Sequence, residues 1–241
     1  MFLLQDASSA SASILNNLPR VITAIGGLGT AAFGLVDSTK TLPGILNVNR
    51  IGFDEIKQLI ISLTPGTPTA GLSQDKIVET LRANWFNGKD LNSQKAIAKS
   101  LIKQGLTPTN AAALAKRTGV DPHVLTSVAT KIAAGTSLLP NENDVYGRLD
   151  FVLTALLDEV YQHSDQKYTN WTRVLASVFA IVLAFIGGMS LNGQSFSEFW
   201  WTKESAESLL VGVLATPLAP IAKDLSSALA TAVNTMQAIK K

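Results

Sequence analysis

The feature that most limits this chain is a stretch of 18 residues, Val174 to Leu191, without one charged side chain. As a helix it reaches ~27 Å, close to the ~30 Å hydrocarbon core of a bilayer. Trp171 and Arg173 stand just before it, an aromatic and basic flank of the kind found where helices leave a membrane. A second uncharged stretch, Val21 to Val36, reaches ~24 Å. Arg20 is able to snorkel there, and Ile14 and Leu18 extend the apolar face beyond the bend expected at Pro19. A third, Leu209 to Ala222, reaches ~21 Å and contains Pro217 and Pro220, which remove helix hydrogen bonds. Lys223 and Asp224 follow it. A charge at mid-bilayer costs ~2.5–3.5 kcal/mol on insertion scales, so this pair is expected at the interface.

Composition agrees with the pattern. Of 241 residues, 16% are charged and 46% hydrophobic, where a soluble domain carries ~25% charge. The absence of Cys excludes disulfides, thiolate metal ligands and Cys nucleophiles. His123 and His163 are too few for a three-histidine metal centre. A net charge of +2 demands no polyanionic partner. The stretch before Arg20 holds Asp6 and no basic residue, unlike a signal peptide, so the spans are expected to be retained.

Residues 50–170 are polar, and their helix signals repeat. Ser73 precedes an apolar-periodic run to Phe86, and Asn92 opens another to Gln104. Thr107-Pro108 opens a run ending near Gly119, and Asp121-Pro122 one ending near Gly135, each with a capping side chain before Pro. The segment 62–71 reads as a loop by its Pro and Gly content. No strand alternation occurs. The expectation is an all-α integral membrane protein with about three transmembrane helices, a small helical soluble domain and a long membrane-proximal helix. The divisions are an N-terminal segment 1–20, a span 21–40, the soluble domain 50–140, the membrane-proximal helix 141–172 and a span 173–191. A short loop 192–207, a Pro-broken span 208–223 and a C-terminal helix 224–241 complete it. The membrane-proximal helix is acidic and could complement the basic residues Lys95, Lys99, Lys103, Lys116, Arg117 and Lys131, unless both are solvated faces.

Small residues recur every four positions in the spans: Gly26, Thr30, Gly34; Ala176, Ala180, Ala184, Gly188; Gly212, Thr216. On a helix this spacing makes one face along which backbones approach closely, predicting tight packing within the chain or between chains. The 192–207 loop sets Lys203 against Glu198, Glu204 and Glu207, with Phe199, Trp200 and Trp201 as an aromatic belt. The other ends carry Lys167, Arg173, Lys223, Lys240 and Lys241, so the positive-inside rule puts the loop and the N-terminus outside and the soluble domain in the cytoplasm.

The run Ala115 to Leu125 resembles a helix-turn-helix: Ala lets two helices cross and Gly119 makes the turn. The recognition helix that this resemblance implies offers His123, Thr126, Ser127 and Lys131, a thin set for phosphate and base contacts. Gly27-Leu28-Gly29-Thr30-Ala31-Ala32 partly matches a dinucleotide-binding fingerprint, but that motif needs strands around it. Glu159 and His163, four apart, read as a solvated pair rather than a metal site. The segments 156–173 (LLDEVYQHSDQKYTNWTR) and 212–225 (GVLATPLAPIAKDL), either side of an apolar span, resemble a family of uncharacterised bacterial multi-span inner-membrane proteins. The resemblance covers the last ~80 residues and departs at Ile221, Ala222 and Lys223, where an aromatic cluster is expected. It implies a bacterial inner membrane and no assigned activity.

No catalytic constellation, cofactor motif or metal set is legible, which leads to a non-enzymatic anchor or scaffold subunit with the bilayer and other subunits, or itself, as partners; the sequence argues against nucleic acid. The alternatives are an ion or small-solute transport component, with Pro217, Pro220, Lys223 and Asp224 in a pathway, and a membrane-tethered DNA-binding regulator.

Overall fold

The computed structural model describes the backbone of residues 2–39, 48–64, 73–193 and 195–239, and side chains for 21–39, 49–64, 73–193 and 195–221. The described residues form helices and no strand: α1 (Phe2–Thr39), α2 (Val48–Leu63), α3 (Gln74–Phe86), α4 (Leu91–Gln104), α5 (Ala111–Thr118), α6 (Pro122–Ala133), α7 (Pro140–Asn192), α8 (Phe196–Phe199) and α9 (Lys203–Ile239). Two compact units divide the chain: Met1–Leu46 with Asn170–Lys241, and Asn47–Thr169. The division falls inside α7, so this one helix belongs to both.

The unit Asn47–Thr169 has an interior of large aliphatic and aromatic side chains. α7 buries Leu149, Leu153, Leu157 and Tyr161 at steps of four; α2 buries Phe53, Ile56, Ile60 and Leu63; α3 buries Ile77, Leu81 and Trp85. These join Ile102, Leu114, Leu125 and Val128 in one contiguous core. Each fully buried large aliphatic side chain contributes about 1.5–3 kcal/mol. Gly52 is where α2 comes closest to its neighbours: a Cβ there would stand 2.6 Å from the Trp85 ring and 3.1 Å from Tyr168 Cβ. The Trp85 indole N–H donates to the Asn49 carbonyl at 3.0 Å, which fixes the ring over α2.

Several expected boundaries move. α2 is a helix that the pattern of helix signals in the sequence does not set apart, although its apolar spacing suits one. Asp90, not Asn92, caps α4, accepting from the Ser93 N–H at 2.9 Å. Asn110, not Thr107, precedes α5; its side chain accepts from Thr107 N–H at 2.8 Å and donates to the Gly105 carbonyl at 2.6 Å, so Pro108 sits in a turn before the helix. Ser73 and Asp121 stand at the N-caps of α3 and α6, both accepting from backbone N–H groups as expected. Of the predicted loop 62–71, Ser62 and Leu63 end α2, and 65–72 lie outside the described residues.

The other unit gathers α1, the end of α7, α8 and α9. α1 runs without a boundary at residue 20 or a break at Pro19. α9 is likewise one helix from Lys203 to Ile239, with Pro217 and Pro220 inside it, which corrects the separate segments 208–223 and 224–241. Each Pro removes one N–H bond, yet the turns on either side continue the helix. Both prolines are exposed, so their rings stand away from the packed face. The interior consists of small side chains: Ala32 of α1, Ala180 of α7 and Ala215 of α9 meet with no solvent exposure.

Candidate functional site

The distinctive surface of this chain is the packing face of α1, α7 and α9, and α7 shows why. Ala176, Ala180 and Ala184 are buried, whereas Val174, Val178, Val182 and Ile186 are exposed. The first half of the same helix does the reverse, with Leu inside and Arg148 and Glu159 outside. Small residues inside let backbones approach, and large apolar residues outside suit surroundings that are themselves apolar.

The close approaches are specific. A Cβ on Gly212 would stand 2.5 Å from Ile181 Cα, and one on Gly188 would collide with Ser208 Oγ and lie 2.9 Å from the Phe199 ring. A Cβ on Gly29 would collide with the Ala215 carbonyl and lie 3.0 Å from Ala219 Cβ. Ser177 Oγ donates to Thr216 Oγ1 at 3.2 Å and to the Arg173 carbonyl at 3.0 Å, joining α7 to α9 by a polar pair within apolar surroundings.

Of the residues singled out in sequence, Gly26, Ala176, Ala180, Ala184, Gly188, Gly212 and Thr216 lie on these faces. Thr30 and Gly34 do not: both are exposed, Thr30 Oγ1 donates to its own helix at Gly26, and a Cβ on Gly34 would meet nothing. The buried line of α1 instead runs Gly29, Ala32, Val36. Gly29, Ala32, Val36, Ala215 and Ala219 are packing positions that the four-residue pattern passed over, because small residues crowd more than one face of these helices.

At the α7–α9 turn, aromatic rings form a cluster. Phe199 is fully buried and meets Phe185 edge-on at 4.9 Å; Trp200 lies 5.4 Å from Phe185 and 5.7 Å from Phe196. Ser195 begins α8, its backbone N–H and hydroxyl both donating to Glu198. Trp201 projects with 86% of its surface exposed, and Trp171 and Arg173 are exposed at the other end of the apolar part of α7. The side chains of Lys223 and Asp224 lie outside the described residues.

Charged groups in the unit Asn47–Thr169 tie helix to helix. Lys95 meets Asp158 at 2.6 Å, and Lys99 and Lys103 meet Asp150 at 3.0 and 2.9 Å, so the basic stripe of α4 does complement α7. Lys103, then Lys99, hold the Asp150 carboxyl below its ordinary range. Glu142 accepts from Leu139 N–H, Lys131 and Ser127, each at 2.7 Å, and these bonds, led by the backbone one, lower its pKa to about 2. His163 pairs with Glu55 of α2 at 2.5 Å, not with Glu159 in its own helix; Glu55 also takes Lys167 at 2.8 Å, and these partners keep its carboxyl ionised to lower pH than usual. Burial pushes the Tyr161 phenol up.

The helix-turn-helix-like corner is present in outline: α5 and α6 flank Gly119 at φ +68°, with Ala115 and Leu125 buried. Its presumed reading face is partly occupied. Ser127 and Lys131 bond to Glu142, and Thr126 donates to the Pro122 carbonyl. The glycine fingerprint at 27–32 lies in mid-helix, and no strand stands beside it among the described residues.

Two helices, α1 from Val21 to Thr39 and α7, are long and apolar enough to cross a membrane. Only 22% and 11% of their most apolar windows are buried, whereas the core helix of a soluble protein would be mostly buried. No known family, curated protein or solved structure matches the chain.

Proposed function

We propose that this chain is a non-enzymatic membrane anchor, a scaffold subunit of a bacterial inner-membrane assembly. The bundle of α1, α7 and α9 lies in lipid and the helical unit Asn47–Thr169 faces the cytoplasm. The observation that carries the reading is the reversal along α7, with Leu149, Leu153 and Leu157 buried in one unit and Ala176, Ala180 and Ala184 buried under exposed Val and Ile in the other. The reversal supports a helix that passes from water into lipid and so couples a polar domain to a membrane. The ionic groups favour a structural role, because Glu55, Glu142 and Asp150 each spend their oxygens joining one helix to another. For the rival transport role, Pro217 and Pro220 face away from the bundle interior, which lends a central pathway no support.

The test has two steps. Membranes containing the full chain are washed with high salt and alkaline carbonate, then dissolved in mild detergent for affinity purification and native mass determination. Retention through the washes, followed by a mass above the monomer or a companion protein at fixed ratio, is expected. Release by carbonate refutes the membrane reading, and a bare monomer without a companion refutes the scaffold role.

A further inference from the structure

We infer that the face of α4 beside Tyr146 binds a small organic monoanion, a carboxylate, in a site that the anchor reading above neither uses nor requires. Ala96, Lys99, Ser100, Lys103 and Gln104 recur at steps of three and four, which places them on one face of α4. The face that α4 buries is a different one, with Gln94, Ala98 and Ile102. Tyr146 of α7 forms the opposite wall, and between them lies a cavity of about 630 Å³, within the range of small-molecule sites. A smaller cavity of about 300 Å³ shares Ala96 and Lys99 and continues past Lys95 to Asp158.

Charge decides what fits. Lys95 and Asp158 pair one to one, but Lys99 and Lys103 share the single carboxylate of Asp150. Among the described residues neither of these two lysines has a second acidic partner. The larger cavity is therefore left with one positive charge. The two lysine side chains are only 29% and 27% exposed, so salt screens that charge less than on an open surface. A monoanion restores neutrality, and a phosphate dianion overshoots it.

The donors match as well. An ammonium carries three N–H groups. Lys99 spends two, on Asp150 and on Thr154 Oγ1, and Lys103 spends one on Asp150, so each keeps at least one. The Ser100 hydroxyl and the Gln104 amide are exposed at the cavity wall and have no hydrogen-bond partner among the described residues. A carboxylate accepts from two donors at once, as Asp150 already does from these lysines. Lys103 Nζ lies 4.5 Å from the centre of the Tyr146 ring, so an anion held there stands beside an aromatic wall. That wall favours a carboxylate with an apolar body.

The test uses the full chain in mild detergent, with the acetylation rate of each lysine read by mass spectrometry. Benzoate is the probe, with acetate and inorganic phosphate for comparison, each exchanged for chloride at constant ionic strength. Benzoate is expected to slow modification of Lys99 and Lys103 about threefold when two-thirds of the sites are filled. It should leave Lys116, which has no ion pair among the described residues, unchanged, and should act at lower concentration than acetate or phosphate. Ser100→Ala with Gln104→Ala should keep the wild-type circular dichroism and raise the benzoate concentration required by about tenfold. Equal slowing at Lys116, no slowing at Lys99 and Lys103, phosphate acting at lower concentration than benzoate, or undiminished protection in the double variant overturns the inference.

Discussion

Replacing Gly212 with Ala adds one methyl group where α9 meets the backbone of α7. That methyl would lie 2.5 Å from Ile181 Cα and 3.0 Å from its backbone N, and neither atom is the free end of a side chain. The helices must therefore move apart, and overpacking of this kind costs about 1–3 kcal/mol. Ala is favoured over Gly inside a helix by up to about 1 kcal/mol, which offsets part of the cost. With the full offset the net loss is about 0–2 kcal/mol. Gly34→Ala is the internal control: it makes the same propensity gain on α1, and its methyl meets nothing within 4 Å. It should stabilise by up to about 1 kcal/mol. The shared propensity gain cancels, so the two substitutions are separated by the overpacking cost, about 1–3 kcal/mol or roughly 5- to 150-fold in the folding equilibrium. Equilibrium unfolding in mixed micelles of increasing denaturing detergent, followed by Trp fluorescence, reads both. Equal shifts, or a stabilised Gly212→Ala, would refute the packing described for α7 and α9.

Four further outcomes are expected. Leu153→Ala, at a fully buried core position, should cost about 2–5 kcal/mol in denaturant unfolding followed by circular dichroism. Gly52→Ala forces the Trp85 ring from its place and should cost about 1–3 kcal/mol, with a change in near-ultraviolet dichroism. Asp150→Asn releases two partly exposed lysine links and should cost about 0.2–1 kcal/mol for each, shrinking at high salt. Glu142 has its pKa lowered from 4.5 to about 2, so its contribution to stability is complete above pH 4.5 and is lost as pH falls toward 2. An acid titration of the wild-type chain should show that loss, and Glu142→Gln should remove this part of the pH dependence.

The class of fold was legible because an uncharged run such as Val174–Leu191 has few stable homes, and because Ser73 and Asp121 announce helix starts by local chemistry. The Asn110 start was not, since its side chain bonds backwards to Gly105 and Thr107 and so leaves no forward cap. The continuity of α9 was hidden for a different reason. A Pro on the outer face loses a hydrogen bond without disturbing packing, and sequence alone does not say which face is outer. The register of α1 failed because small residues crowd both its faces, and only the partner helix selects Gly29 over Thr30. The pairing of His163 with Glu55 joins positions 108 residues apart and leaves no local trace.

The central claim is that the outer stripe of α7 touches lipid. Because the chain has no native Cys, single cysteines at positions 174, 178, 182 and 186 can carry one nitroxide label each. In vesicles, all four labels should relax strongly with oxygen and weakly with a water-soluble nickel chelate, with the greatest contrast at the two middle positions. Strong nickel relaxation at 178 and 182, or shielding from both reagents, would show that stripe in water or against protein and contradict the account.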